Sequence, residues 1–163
     1  KYYNGMVACG NLLLESDIGG THPWIPPKVT FPSAEQGALY TLIYIDLDVD
    51  LPSNGSWPDV VTPGSKAPAR HWVAGNIDAN MLKTGNLSQA AQVSKYKGPS
   101  PPWGSHRYGQ FLFKQPGQLT FESLPSPLGI YNWDYKAFIA KYKLGSPVAS
   151  NFHMTQHMIA RPK

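Results

Sequence analysis

From Tyr40 to Leu51 the chain alternates. Thr41, Ile43, Ile45, Leu47, Val49 and Leu51 make the odd positions nearly all apolar, while the even ones read Tyr40, Leu42, Tyr44, Asp46, Asp48, Asp50. A period of two predicts a β-strand, here with a second face that begins aromatic and ends acidic. Arg70–Ile77, Arg107–Lys114 and Phe152–Ile159 read as further strands. One stretch carries the helical period instead: Tyr135, Phe138, Ile139 and Tyr142 fall at i, i+3, i+4 and i+7. Asp134 or Asn132 can cap its start, and Gly145 followed by Pro147 stops it. Turn-forming clusters at 22–27, 52–56, 62–65 and 124–127 separate these elements, and none is long enough to link two domains. The expectation is a mainly β, largely antiparallel fold with one or two helices near the C-terminus. Residues 1–163 form a single domain in this reading, with an extended loop at 52–68, a length that is commonly functional.

Composition narrows the picture. A chain of 163 residues suits one domain and can bury about two-thirds of its unfolded surface. With 42% hydrophobic and 12% aromatic residues, disorder is excluded. Only 15% charged residues, beside 15 glycines and 16 prolines, favour a loop-rich β protein over a helical bundle. The one cysteine, Cys9, excludes an intrachain disulfide and a cysteine-based zinc cluster. No apolar run reaches the length of a membrane-spanning helix. The net charge of +4 is scattered, without two adjacent basic residues, which argues against nucleic acid and against a polybasic membrane anchor. A removed signal peptide would account for a first residue Lys1, as would a trimmed chain. Two N-glycosylation sequons, at Asn54 and Asn86, lean toward a secreted protein, with a cytoplasmic one as the alternative.

Two segments carry candidate chemistry. Asp46, Asp48 and Asp50 would share one strand face about 7 Å apart, where like charges repel by roughly 2 kcal/mol at an effective dielectric near 20. A cation, an arginine or a retained proton must offset this, unless the strand end simply reaches solvent. The same spacing opens a calcium-binding EF-hand loop, but Leu51 and Trp57 stand where glycine and glutamate are required. The second segment is Gly98-Pro99-Ser100-Pro101-Pro102-Trp103-Gly104-Ser105-His106-Arg107-Tyr108, a stiff proline loop leading into a strand. Alternation puts His106 and Tyr108 on one face, two donors suited to a phosphate or carboxylate. Arg107, on the other, reads as a structural partner for a buried carboxylate. His71-Trp72 opens another strand with a second imidazole, whereas His22, His153 and His157 fit no motif. No nucleophile elbow, HExxH pair or phosphate-cradling glycine loop is present, so neither an enzyme nor a metal site is expected.

Together, Tyr40–Asp48, His71-Trp72-Val73, Gly98–Pro102 leading into His106-Arg107-Tyr108, and Leu144–Phe152 resemble the phosphatidylethanolamine-binding protein family, in the family's order. Asn151–Gln156 looks most like its secreted animal branch. The resemblance implies a central antiparallel sheet with a smaller second sheet, C-terminal helices, no cofactor, and an anion pocket at one sheet end for a phospholipid headgroup. The matching pocket residues are Asp46, Asp48, His71, Pro101, His106 and Tyr108, with Arg107, Gly98 and Pro99 structural. This chain departs from the family's Asp-Pro-Asp: aligning by the strand selects Asp46 and Asp48, whereas aligning by Pro52-Ser53 selects Asp48 and Asp50. Tyr40–Ile45 sets the register, so the strand alignment is preferred. The expected function is non-enzymatic binding of phosphatidylethanolamine headgroups or small phosphate anions. The alternative is an interaction module that inhibits a serine protease or a kinase. A hydrolase using His71 or His106 lacks an activated nucleophile.

Overall fold

A computed structural model describes residues 6–18, 24–49, 68–101, 105–124 and 131–156. Its framework is a six-stranded sheet in the order β1-β6-β5-β2-β3-β4. The strands are β1 (Leu12–Leu14), β2 (Tyr40–Asp46), β3 (Ala69–Ile77), β4 (Ala91–Ser94), β5 (Ser105–Lys114) and β6 (Ala149–Gln156). Every neighbouring pair is antiparallel except β1 on β6, which is parallel, so the sheet is mixed. All the strands among the described residues belong to this one sheet.

The alternation of β2 has a direct structural meaning. Tyr40, Leu42 and Tyr44 enter a core with Leu13, Ile18, Trp72, Leu82, Tyr108 and Leu112. Ile43 and Ile45 enter a second core with Val73, Val93, Phe113, Trp133 and Phe138. Every residue of β2 is buried, as expected for a central strand covered on both sides.

Among the described residues, two α-helices and a short 3-10 turn at Glu15–Ile18 accompany the sheet. The helix expected from the 135–142 period is α2 (Tyr135–Lys141), capped by Asp134, whose carboxylate accepts from the Ala137 N–H (2.9 Å). A second helix, α1 (Ala79–Thr84), follows β3 rather than lying near the C-terminus. Its single turn is too short to leave a periodic signature; Asp78 caps it and Gly85, at φ +72°, ends it. The strand expected over Tyr40–Leu51 stops at Asp46, and β6 begins at Ala149, three residues before the expected Phe152. Asp50, Asn54, Pro102 and all of the 52–68 loop except Pro68 lie outside the described residues.

Gly75 lets loop 119–124 close over the second core, since a Cβ there would lie 2.1 Å from the Phe121 ring. Gly75→Ala is expected to cost about 1–3 kcal/mol through overpacking, read as a lower urea midpoint at unchanged slope.

Candidate functional site

Three strand ends meet at one end of the sheet. β2 finishes at Asp46, which lies opposite Ala69 of β3 and Tyr108 of β5. Adjacent β6 places His153 opposite Tyr108 and Thr155 opposite His106.

Beyond Asp46 the chain leaves the ladder, so Asp46 and Asp48 do not share a strand face. Both are 2% exposed, and each has its own positive or proton-bearing partner. Asp46 Oδ2 lies 2.7 Å from His106 Nδ1, while its Oδ1 accepts from the Asp48 N–H (2.9 Å). Asp48 accepts three bonds from Arg107: from its backbone N–H and Nε at 2.8 Å and from Nη2 at 2.6 Å. This fork-on-carboxylate pairing holds the Arg107 guanidinium charged, its pKa raised chiefly by the hydrogen bond to Asp48.

His71 reaches the same face through a register shift. Tyr44 pairs with Trp72, but the next pair is Ile45 with Arg70, so β3 bulges at His71. As a result both His71 and Trp72 meet the Tyr44 side of the sheet, whereas Arg70 reaches the ring of Trp133 in the second core. The His71 ring stands edge-on to Tyr108 with centroids 5.1 Å apart, and its Nδ1 donates to the Lys97 carbonyl (2.9 Å). Burial lowers the pKa of His71.

Gly98, Pro99 and Pro101 are all buried. Gly98 has a steric reason: a Cβ there would lie 2.7 Å from Trp24 Cδ1. The structure thus gathers Asp46, His71, His106 and Tyr108 into one buried cluster, with Asp48 and Arg107 bracing it from behind.

Sequence reading missed Tyr44, Thr155 and His153. His153 is fully buried, stacked on Tyr108 (centroids 5.5 Å), with Nε2 3.0 Å from the Tyr44 hydroxyl and Nδ1 3.1 Å from Thr155 Oγ1. His153 and Thr155 alternate within β6, but only its pairing with β5 shows that their face is the one holding His106 and Tyr108. Desolvation pushes the His153 pKa from 6.5 down to about 4. Between those values the unfolded chain binds a proton that the folded site refuses. Stability from the neutral ring is therefore complete above pH 6.5 and is lost as the pH falls toward 4. Moving from pH 7 to pH 5 is expected to cost the native protein about 2 kcal/mol more than it costs His153→Gln. Urea unfolding at both pH values checks this, and equal pH dependence in the two proteins refutes it.

The family model described as phosphatidylethanolamine-binding protein matches residues 7–153. Protein MOTHER of FT and TFL1 homolog 2 of Oryza sativa subsp. japonica is 32% identical over 76% of this chain and 63% of its own length. The 26 kDa secreted antigen of Toxocara canis is 29% identical over 94% of this chain and 53% of its own. The chain therefore spans about half to two-thirds of these curated relatives. Among solved structures, a carboxypeptidase Y inhibitor complexed with its cognate proteinase shares the fold, with a TM-score of 0.56 and 19% identity over 90% of this chain and 76% of that one.

Proposed function

The chain belongs to the phosphatidylethanolamine-binding protein family, and from that premise we propose that it binds phosphate-bearing headgroups or small phosphate anions, without turnover, at the His71–His106–Tyr108 cluster. One observation carries the reading. Both imidazoles have Nδ1 tied to an acceptor, the Lys97 carbonyl or the Asp46 carboxylate, and among the described residues neither Nε2 has a partner. Two nitrogens are thereby committed to orientation, and two remain for a ligand. Asp46, behind His106, fixes the orientation of that ring through its Nδ1.

The tautomers have a chemical consequence. A carbonyl cannot donate, so His71 Nδ1 carries the hydrogen, and the neutral ring offers only a lone pair at Nε2. A phosphate oxygen needs a donor there. A neutral His71 that grips a phosphate oxygen through Nε2 therefore takes up a proton on binding. Calorimetric titration of O-phosphoethanolamine is expected to show saturable binding to the native protein and none to His106→Ala. Heats compared in buffers of different ionisation enthalpy should reveal net proton uptake, with affinity rising from pH 8 to pH 6.5. Native binding with no proton exchange would refute this use of the rings. Absence of native binding at millimolar ligand would refute the anion reading.

The second reading is inhibition of a serine protease or a kinase. It has in its favour a fold neighbour solved with its proteinase, a likeness of fold alone at that identity. A protein partner captured equally by native protein and His106→Ala would favour it.

The site is read as extracellular, supported by the secreted Toxocara relative and by the Asn86 sequon. Asn86 and Ser88 are both exposed, and Asn86 Oδ1 accepts from the Ser88 N–H (3.0 Å) in a turn just after α1. Expression through a secretory pathway is expected to add a glycosidase-sensitive mass that Asn86→Gln removes. An unmodified Asn86 in that setting would remove this support.

A further inference from the structure

Lys97 sets its ammonium against two aromatic rings rather than a carboxylate. Lys114 and Lys141 pair with Glu35 and Glu122, whereas among the described residues no carboxylate pairs with Lys97. Its ammonium instead lies 5.7 Å from the ring centroid of Trp24 and 6.0 Å from that of Tyr131. Ring faces hold a cation in position without cancelling its charge. The backbone locks Lys97 to the site: its N–H donates to the His71 carbonyl (2.8 Å), and its carbonyl accepts from His71 Nδ1 (2.9 Å). The next residue, Gly98, begins the buried proline segment under Trp24. Partial burial lowers the Lys97 pKa, while that of His71 is lowered chiefly by its own burial, with a smaller contribution from the Lys97 charge.

Asp48 is paired with Arg107, and Asp46 holds Nδ1 of His106. Among the described residues no carboxylate pairs with the Lys97 ammonium, and against that positive charge a dianion gains about twice what a monoanion does.

We propose that Lys97 is a ligand contact of this site, its ammonium held by Trp24 and Tyr131 to receive a phosphate oxygen and to favour dianionic phosphomonoesters over the phosphodiester of a lipid headgroup. This rests on reading the His71–His106 cluster as an anion site. The test compares O-phosphoethanolamine, a monoester, with glycerophosphoethanolamine, a diester carrying the same ammonium group. Both are titrated into native protein, Lys97→Met, Lys97→Arg and His106→Ala, with thermal unfolding of each variant as the check on folding. Lys97→Met keeps the stem and loses the charge. It is expected to weaken the monoester about tenfold, the scale of one charge-assisted hydrogen bond. It should weaken the diester less, while Lys97→Arg preserves the preference. If Lys97→Met binds both probes as the native protein does while His106→Ala abolishes binding, the role of Lys97 is refuted and the anion site stands. If the native protein binds neither probe, or His106→Ala binds as well as native, both readings fail. A folded Lys97→Met that weakens both probes equally would refute the monoester preference.

Discussion

Two carboxylates two residues apart are buried where the central strand ends, and the surrounding structure is arranged around that electrostatic problem. A lone buried carboxylate is costly to hold ionised. Here the two carboxylates are separated by the chain leaving the ladder at Asp46 and are matched individually, Asp46 to His106 and Asp48 to Arg107. Both partners come from consecutive residues of β5. That strand's alternation sends one side chain to each face, so one aspartate orients an imidazole while the other anchors the strand that carries it. Leu47 N–H donates to the Arg107 carbonyl between them (2.9 Å), which continues the backbone pairing across the gap.

The double-sided burial of the sheet explains why the site lies at one end of it. Ile43, Ile45, Val73 and Phe113 pack on one side of its middle and Tyr40, Leu42, Trp72 and Leu112 on the other. Polar side chains gather where β2 ends and β3 and β5 begin. The rings of Tyr44, Tyr108 and His153 form the boundary between this polar end and the core, packed with centroids 5.5 to 6.2 Å apart. That wall keeps His153 neutral and gives the imidazoles above it a rigid support.

Family membership and this geometry bear on different questions. The match over residues 7–153 accounts for the fold. Which Nδ1 is fixed, which Nε2 stays open and where an unmatched lysine sits are properties of this chain's own contacts. Those contacts make a charge-selective anion site a specific hypothesis rather than an inherited one.

Much of the framework was legible in the sequence. The alternation from Tyr40 determined a strand buried on both faces, the 135–142 period determined α2 and its Asp134 cap, and the proline loop before His106 marked the entry to β5. Each of these depends on local geometry, a two-residue or 3.6-residue repeat or a backbone constraint. What lay beyond the sequence depends on pairing. Alternation alone would send His71 and Trp72 to opposite faces; the bulge against Tyr44 turns both onto one. Asp46 and Asp48 do not share a face because β2 ends at Asp46. His153 carried no motif and became central only when β6 registered against β5, and Lys97 meets Trp24 across more than seventy positions of chain. Local periodicity is written residue by residue, whereas register, bulges and the company of a charge are decided by which distant segments pack together, and no window along the chain contains both partners.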